Sequence, residues 1–261
     1  MNLILFEPNE VLDDGEVRLS ATDRRAIHCS TVLKVEVGSI VRVGIIGGIM
    51  GEATCTESSM EWLKMQITKD GFVKEQPSAC LNMSLILAMP RPRVLDRLWP
   101  IFSQLGLRRV ILVNASRVEK CYFSSHILEE KHYRPRLIKG LEQAAVSTQL
   151  PQIDIDTRSF EVFLDKRLET AFPNTRRFVG HPYPLSNNTA ETQIDVDQEI
   201  VLAIGPEGGW QVDELENLAM KNFVPVCCST RIFTTEVAIV ALASAVATHC
   251  NPALLGEACR K

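Results

Sequence analysis

The chain has 261 residues, of which 46% are apolar and 23% are charged, with a formal net charge of −4. This composition is typical of folded globular proteins and excludes a disordered or fibrous chain. The negative charge argues against a protein that binds nucleic acid over its whole surface. Residues 91–140, however, carry 11 basic and 4 acidic side chains. This stretch is therefore either a local surface for a phosphate backbone or a set of solvated helix faces.

Sequence features of membrane proteins and of metal-binding proteins are missing. No apolar run approaches the roughly 20 residues that a membrane-spanning helix needs, and the first residues do not resemble a signal peptide. The eight cysteines form no C-x-x-C pair, so we expect no zinc site and no other metal. We expect a cytoplasmic protein with reduced thiols, in which Cys227 and Cys228 are buried strand residues rather than reactive thiols.

The first 75 residues are predicted to form a small β-barrel that is interrupted by one helix. Thr22 and Asp23 are suitable caps for a helix over residues 24–33. A polar linker is expected at residues 71–78. The predicted strands are five short apolar runs at residues 3–6, 17–19, 39–43, 51–55 and 63–67.

From residue 76 onward, apolar strands alternate with helices. This order predicts a mainly parallel sheet that is covered on both faces. Pro135 is expected to break or kink the long helical stretch in which it lies. The predicted strands are residues 81–88, 109–113, 177–180, 199–204 and 225–228, and the predicted helices are residues 94–105, 123–147, 212–221 and 236–250.

Three loops follow predicted strands and carry groups that suit a ligand, because open α/β sheets bind ligands beyond the carboxyl ends of their strands. Residues 205–209 read Gly-Pro-Glu-Gly-Gly, and glycines let a ligand approach the backbone. This loop matches neither the dinucleotide-binding fingerprint nor the P-loop. The second loop contains Arg231, which can hold a phosphate or a carboxylate with its guanidinium fork. The third begins with His181 and Pro182.

Each loop also has an ordinary structural interpretation. The glycine-rich segment can be a tight turn. Arg231 and Glu236 can form an exposed ion pair of little energetic value, and Thr234 or Thr235 can cap the next helix. A single histidine such as His181 is most often structural or solvated.

The order and spacing of the three loops resemble the 16S ribosomal RNA uracil-N3 methyltransferase family, which is also called RsmE-like. The matching segments are His181-Pro182, the Gly-Pro-Glu-Gly-Gly loop and residues 231–238. Residues 28–38 and 103–107 are similar to two further segments of that family. The resemblance spans nearly the whole chain, and the glycine-rich loop is its most specific single match.

The resemblance implies an α/β fold of the SPOUT class, with a mainly parallel sheet and a C-terminal trefoil knot, preceded by a PUA-like β-barrel. The implied domains are residues 1–75, which bind RNA, and residues 76–261, which form the methyltransferase. It also implies S-adenosylmethionine as cofactor, 16S ribosomal RNA as partner and a homodimer, without membrane or metal. The residues implied to bind the cofactor are His181, Pro182, Gly205, Pro206, Glu207, Gly208, Gly209, Ile232, Phe233 and Thr235.

The chain departs from the family where groups near the RNA are expected. The family's last loop usually reads R-I-L-R-T-E-T-A, whereas here Phe233, Thr234 and Val237 replace the leucine, the second arginine and the later threonine. These losses leave two alternatives to the ribosomal enzyme. One is a non-catalytic RNA-binding or ribosome-assembly protein that keeps the fold, and the other is an enzyme that acts on a different RNA.

Methyl transfer to uridine N3 requires alignment of the base with the cofactor and the loss of one proton. The candidate catalytic residues are Arg231 and Glu236. Arg231 is expected to stabilise the developing uridine anion or to grip the target phosphate, and Glu236 to orient its loop or pair with Arg231 rather than act as the base. The target base is expected to leave its stack. The side chains expected to contact the RNA backbone are Arg91, Arg93, Arg97, Arg108, Arg109, Arg117 and Lys120.

Overall fold

A computed structural model describes residues 2–67, 82–182 and 198–250. The chain divides into two compact units. The first comprises Met1–Ala79 with Pro135–Leu150, and the second comprises Cys80–Arg134 with Pro151–Lys261. The predicted linker and the predicted domain boundary after residue 75 lie outside the described residues. No helix in the described ranges is long and apolar enough to cross a membrane.

The first unit contains a five-stranded sheet in the order β1-β3-β4-β5-β2. The β1–β3 pair is parallel, and the other neighbouring strands are antiparallel. The five strands are β1 (Ile4–Phe6), β2 (Glu16–Ser20), β3 (Ile40–Ile45), β4 (Met50–Ser58) and β5 (Trp62–Ile67). The five strand predictions are confirmed, with ends that differ by up to three residues.

One face of this sheet is buried in an apolar core, and β5 shows the alternate burial that is expected in a mainly antiparallel sheet. Leu63, Met65 and Ile67 of β5 are buried at alternate positions, and they pack in one apolar cluster with Val17 and Leu19 of β2. Burial that repeats every two residues is the pattern of a strand, because successive side chains point to opposite faces of the sheet. Short apolar runs were therefore sufficient to predict these elements.

The predicted helix begins at its predicted cap. Helix α1 (Arg24–His28) continues into a π-helical segment, Cys29–Leu33. The Asp23 side chain accepts a hydrogen bond from the Arg25 backbone N–H at 2.8 Å. This bond satisfies one of the free amide groups at the start of the helix.

The Arg25 side chain joins three parts of the first unit. Its guanidinium donates to Glu10 at 2.6 Å, to Asp23 at 2.8 Å and to the Leu5 carbonyl at 2.9 Å. The side chain is only 11% exposed. Hydrogen bonds from Arg25 hold the pKa of Glu10 below its ordinary value, and they outweigh burial to lower the pKa of Asp23 as well.

Acid is expected to destabilise this cluster. The lowered pKa values mean that Glu10 and Asp23 contribute stability that is fully present above their ordinary values of 4.5 and 3.8 and is lost as the pH falls through their lower folded values. Arg25→Met should lower the free energy of unfolding at pH 7 by roughly 2 kcal/mol, because it leaves the two partly buried carboxylates of Glu10 and Asp23 without their partner. Between about pH 5 and pH 3, the melting temperature of this variant should also fall less than that of the original protein.

The matched control is Arg18→Met, because Arg18 pairs with Glu16 at the exposed surface. This control should change the melting temperature little. Melting curves of Arg25→Met that keep the pH dependence of the original protein would contradict the assignment.

Residues 135–150 belong to the first unit, although the sequence places them among the elements of the second. Leu141 and Ile138 pack in a cluster with Leu3 and Leu5 of the first unit. Glu142 is buried and receives two hydrogen bonds from the Arg24 guanidinium, at 2.7 and 2.9 Å.

The second unit contains a sheet of six described strands that are all parallel, in the order β11-β9-β10-β6-β7-β8. Its strands are β6 (Met83–Ala88), β7 (Arg109–Asn114), β8 (Gln152–Ser159), β9 (Arg176–Gly180), β10 (Ile200–Ile204) and β11 (Val224–Val226). The remaining helices are α2 (Pro92–Gln104), α3 (Glu130–Ala144), α4 (Phe160–Lys166), α5 (Leu168–Ala171), α6 (Val212–Met220) and α7 (Thr235–Cys250).

The prediction of a parallel sheet with alternating helices is confirmed. Every residue of β6 and β10 is buried, as expected for central strands of a sheet that is covered on both faces. The sequence patterns did not indicate β8, α4 or α5. Strand β8 is an edge strand with mostly exposed, polar residues, so it lacks the apolar run that marks the central strands.

The predicted break at Pro135 is wrong, whereas the alternative, a kink at this residue, stays a prediction. Helix α3 contains Pro135 and is not broken there. The irregular part lies earlier, where two short 3₁₀ turns, Lys120–Ser124 and His126–Leu128, precede the helix. A proline inside a helix removes one backbone hydrogen bond, and here the packing of the apolar residues that follow it is sufficient to retain the helix.

Candidate functional site

A cavity of about 570 Å³ lies beyond the carboxyl ends of β9, β10 and β11 in the second unit. Its walls are the segments that follow these strands, within residues 180–182, 204–210 and 226–235. Its size is within the range of about 300–1,000 Å³ that is typical of small-molecule sites. The three loops that the sequence singled out therefore line one cavity, although they are far apart in the chain.

The structure brings together the whole predicted set of cofactor-binding residues. The cavity is lined by His181, Pro182, Gly205, Pro206, Glu207, Gly208, Gly209, Ile232, Phe233 and Thr235, and also by Arg231. Of the two candidate catalytic residues, Arg231 therefore lines the cavity and Glu236 does not.

Two glycines of the loop after β10 have specific structural roles. A Cβ atom on Gly205 would lie 3.1 Å from Nε1 of Trp210, so a side chain at residue 205 would require the indole to shift by a few tenths of an ångström. Gly209 has a φ of +74°, a conformation that favours glycine. The Trp210 ring also stacks on Phe160, with 4.8 Å between ring centroids.

Arg117 supports the glycine-rich loop from the neighbouring loop after β7. Its guanidinium donates to the Gly208 carbonyl, and to Oε1 of Gln211 at 3.3 Å. These donors hold the loop that forms the cavity wall, and the expected contact of Arg117 with the RNA backbone stays a prediction.

Two glutamates connect the same loop to its surroundings. Oε1 of Glu207 accepts a hydrogen bond from the Arg91 backbone N–H, just before α2, at 3.0 Å. Glu214 is buried, and it accepts from the backbone N–H groups of Gln211 at 2.7 Å and of Ser116 at 2.8 Å. The first bond of Glu214 is part of a capping box that begins α6. These carboxylates position the loop through backbone amides.

Arg231 has an exposed side chain in the cavity wall. Its backbone N–H donates to Oγ of Ser229 at 3.0 Å, which fixes the turn in front of α7. Within the described ranges, no side chain forms an ion pair with the Arg231 guanidinium. The guanidinium is therefore a cation that is available to a bound group.

Glu236 does not pair with Arg231, and this expectation is wrong. Its Oε1 accepts a hydrogen bond from Nε of Arg97 at 2.5 Å, which joins α7 to α2. The same contact raises the pKa of Arg97. Arg97, which was expected to contact RNA, is thus one member of an ion pair between two helices.

The other basic residues that were expected to contact RNA lie at opposite ends of the parallel strands. Arg108 and Arg109 are at the amino end of β7, and the cavity is at the carboxyl ends of the strands. Arg109 is also committed to the Ala171 carbonyl at 3.0 Å and lies over the Phe172 ring, so neither residue is brought to the cavity. Arg91, Arg93 and Lys120 follow the carboxyl ends of β6 and β7, and all three are exposed.

The sequence did not identify several residues of the cavity wall, notably Trp210, Cys227 and Cys228. The prediction that the two cysteines are buried strand residues is wrong. Strand β11 ends at Val226, and both cysteines are exposed in the turn that follows. The position of Trp210 directly after the glycine-rich loop is the sequence feature that could have identified it as part of the cavity wall.

Two relatives of known name are similar to this chain over nearly its whole length. A ribosomal RNA small subunit methyltransferase E from Treponema pallidum is 28% identical over 257 residues, covering 96% of this chain and 92% of the relative. A ribosomal RNA small subunit methyltransferase E 1 from Borreliella burgdorferi is 26% identical, covering 92% and 95%.

The fold is also similar to a solved structure. The crystal structure of a ribosomal RNA small subunit methyltransferase E from Neisseria gonorrhoeae, bound to S-adenosyl methionine, superimposes with a TM-score of 0.71 at 19% identity, covering 95% of this chain and 98% of the other. Residues 76–247 match the family described as the RNA methyltransferase domain. Because this match covers more than half of the chain, the protein belongs to the RNA methyltransferase domain family, as an RsmE-like member.

Proposed function

We propose that this protein transfers the methyl group of S-adenosylmethionine to N3 of a uridine in 16S ribosomal RNA, and that it does so as a homodimer. The observation that carries the proposal is the convergence of three distant chain segments on one cavity, in a chain of the RNA methyltransferase family. The ribosomal substrate rests on the names of the two full-length relatives. This substrate would place the protein in the cytoplasm.

The cavity fits the cofactor by its size and by its walls. Gly208 and Gly209 line the cavity and have no side chains of their own, so a ligand can lie close to their backbone beside the Arg117 side chain. His181, Pro182, Ile232, Phe233 and Thr235 provide the remaining proposed contacts, on the facing loops. A relative of the same fold was solved with S-adenosyl methionine bound.

The bound cofactor supplies an electrophilic methyl group, and the chain supplies position and charge. Uridine N3 becomes a good nucleophile when its proton leaves, and negative charge then develops on the base. The Arg231 guanidinium, exposed in the cavity wall, is placed to stabilise that charge. Arg117 and Glu207 act indirectly, because their hydrogen bonds hold the loop against which the cofactor is proposed to bind.

Arg91, Arg93 and Lys120 are proposed to contact the RNA backbone, because these exposed cations lie at the same sheet edge as the cavity. The proposed domains remain an RNA-binding, PUA-like barrel over residues 1–75 and a methyltransferase domain over residues 76–261. The C-terminal trefoil knot is part of this proposal. It is supported by the similarity of fold to a methyltransferase E and by the strand order β11-β9-β10.

The proposed dimer uses the outer face of α7. Val237 and Val240 are 49% and 41% exposed, and Ser244 and Ala245 continue the same face at helical spacing. Among the described residues of α7, the charged side chain nearest this face is Glu236, which lies one turn before Val240 and pairs with Arg97. The apolar remainder of the face favours burial against another apolar surface. Two copies would meet here as an isologous pair.

Val240→Glu is therefore expected to convert a dimer to a monomer, because it places a charge in the proposed interface. Light scattering coupled to gel filtration should give a mass near the 29.1 kDa of one chain. Val212→Glu is the matched control, since Val212 is 72% exposed on α6, and this variant should remain dimeric. A variant at Val240 that keeps the dimeric mass would exclude this face.

The function is tested with purified protein, S-adenosylmethionine and small ribosomal subunits that lack the modification. Mass spectrometry of the RNA nucleosides should show 3-methyluridine only when both substrates are present. Calorimetric titration with S-adenosylmethionine separates the alternatives. Binding without methylation would indicate an RNA-binding or assembly protein, and methylation of another nucleoside would reject the uridine target. Absence of cofactor binding would reject the enzyme.

A further inference from the structure

Arginine and glutamate side chains supply the formal charges of the cavity wall. Within the described ranges, these side chains are Arg117, Glu207 and Arg231. Glu207 accepts a hydrogen bond from the Arg91 backbone N–H at 3.0 Å, and no described cation forms an ion pair with it. The wall therefore carries two cations and one anion, and this balance favours a ligand with a negatively charged group.

The Arg117 side chain lies along the glycine-rich loop. A Cβ atom on Gly208 would lie 3.6, 3.8 and 3.0 Å from Cβ, Cγ and Cδ of Arg117, and a Cβ atom on Gly209 would lie 3.9 Å from its Nη1. Nη1 donates to the Gly208 carbonyl, and Nη2 donates to Oε1 of Gln211 at 3.3 Å. The guanidinium is thus fixed beside the two glycines whose backbone the cofactor is proposed to contact.

Both acceptors of Arg117 are neutral groups. A carbonyl and a side-chain amide use two of its five N–H groups, and in the described part of the chain no carboxylate lies within ion-pair distance of the guanidinium. Two other arginines that are held by several hydrogen bonds, Arg25 and Arg177, each bind a carboxylate of the chain. Arg117 therefore keeps its positive charge and three N–H groups for another partner.

We propose that Arg117 binds the carboxylate in the methionine part of S-adenosylmethionine, and that it thereby selects a cofactor that carries an intact amino acid. This inference rests on the proposed position of the cofactor in the cavity. The carboxylate is the anionic group of S-adenosylmethionine, and a guanidinium binds a carboxylate with two parallel hydrogen bonds. Arg231, on the segment after β11, remains the cation for the charge that develops on the uridine.

A contact with the carboxylate acts on binding rather than on the chemical step. The carboxylate is remote from the reacting methyl group, and it is the same in S-adenosylmethionine and in the product S-adenosylhomocysteine. Its loss therefore weakens the ground state and the transition state alike. Arg117→Gln should raise the KM for S-adenosylmethionine about 30-fold and change kcat less than about threefold. Arg231→Ala is expected to show the opposite division.

The binding experiment compares two ligands of the full chain by calorimetric titration. One is S-adenosylmethionine, and the other is decarboxylated S-adenosylmethionine, which differs from it by the missing carboxylate. The original protein should prefer S-adenosylmethionine about 30-fold, or by about 2 kcal/mol. In Arg117→Gln this preference should fall below about threefold. Any loosening of the glycine-rich loop in the variant weakens both ligands, so that it cancels in the ratio of the two Kd values.

Two control variants show whether the preference belongs to Arg117. Arg231→Gln removes the other arginine of the cavity wall, and Arg108→Gln removes an arginine at the amino end of β7. Both should keep the preference of about 30-fold. A preference that is lost in Arg231→Gln instead would overturn the inference, because the carboxylate would then lie at that residue.

The remaining outcomes separate the carboxylate site from the proposed function. An unchanged preference in Arg117→Gln overturns the inference, and weaker binding of 16S ribosomal RNA by the same variant would then assign Arg117 to an RNA phosphate. Equal affinity of the original protein for the two ligands rejects the carboxylate site alone. If the original protein binds neither ligand, the proposed function fails as well.

Discussion

A Gly208→Val variant is expected to bind S-adenosylmethionine at least about 100-fold more weakly than the original protein, which corresponds to about 2.7 kcal/mol. Gly208 lines the cavity, and a Cβ atom there would lie 3.0 Å from Cδ of Arg117. A valine side chain would both fill part of the proposed cofactor space and displace the arginine that holds the Gly208 carbonyl. Calorimetric titration measures the affinity, and thermal melting should show a folded protein.

The graded control is Gly208→Ala. A single added carbon meets only the flexible side chain of Arg117, which can shift, so the affinity should fall by less than about tenfold, or 1.4 kcal/mol. Gly209 would be a poor control, because its positive φ makes any side chain strained. A Gly208→Val protein that binds with the original affinity would show that the cofactor lies elsewhere.

The Arg231→Ala variant is expected to lower kcat about 100-fold, while the Kd for S-adenosylmethionine changes less than about threefold. A single donor aimed at developing charge accounts for roughly 10²–10³ in rate. The guanidinium is exposed in the cavity wall and forms no ion pair in the described ranges, so it is available to the substrate. Methylation rates at saturating RNA, together with cofactor titration, separate the two effects.

Two variants make the result at Arg231 specific. Arg108→Ala also removes an exposed arginine, but at the opposite edge of the sheet, where Arg108 lies 3.7 Å from Glu199, and it should leave kcat unchanged. Arg231→Lys keeps the charge without the planar fork and should give an intermediate rate. Turnover at the original rate in Arg231→Ala would remove the role assigned to this residue.

The local order of the chain could be predicted because it is set by short-range physics. Short apolar runs between turn residues marked the strands of the first unit, and continuous apolar runs marked β6 and β10. Asp23 marked the start of α1 through the hydrogen bond that it accepts. The resemblance of three ordered loops to a known family implied ten residues that prove to line the cavity. The loops lie together because each follows a strand of one parallel sheet.

The partners of the charged and thiol side chains were decided only by the tertiary structure. Arg97 and Glu236 are 139 positions apart and meet because α2 packs against α7, and Arg117 reaches Gly208 because the loops after β7 and β10 adjoin. Whether Cys227 and Cys228 were buried depended on where β11 ends. Composition and periodicity describe each segment by itself. A salt bridge or a cavity wall depends on which segments become neighbours, and strand order and helix packing determine that across the whole chain.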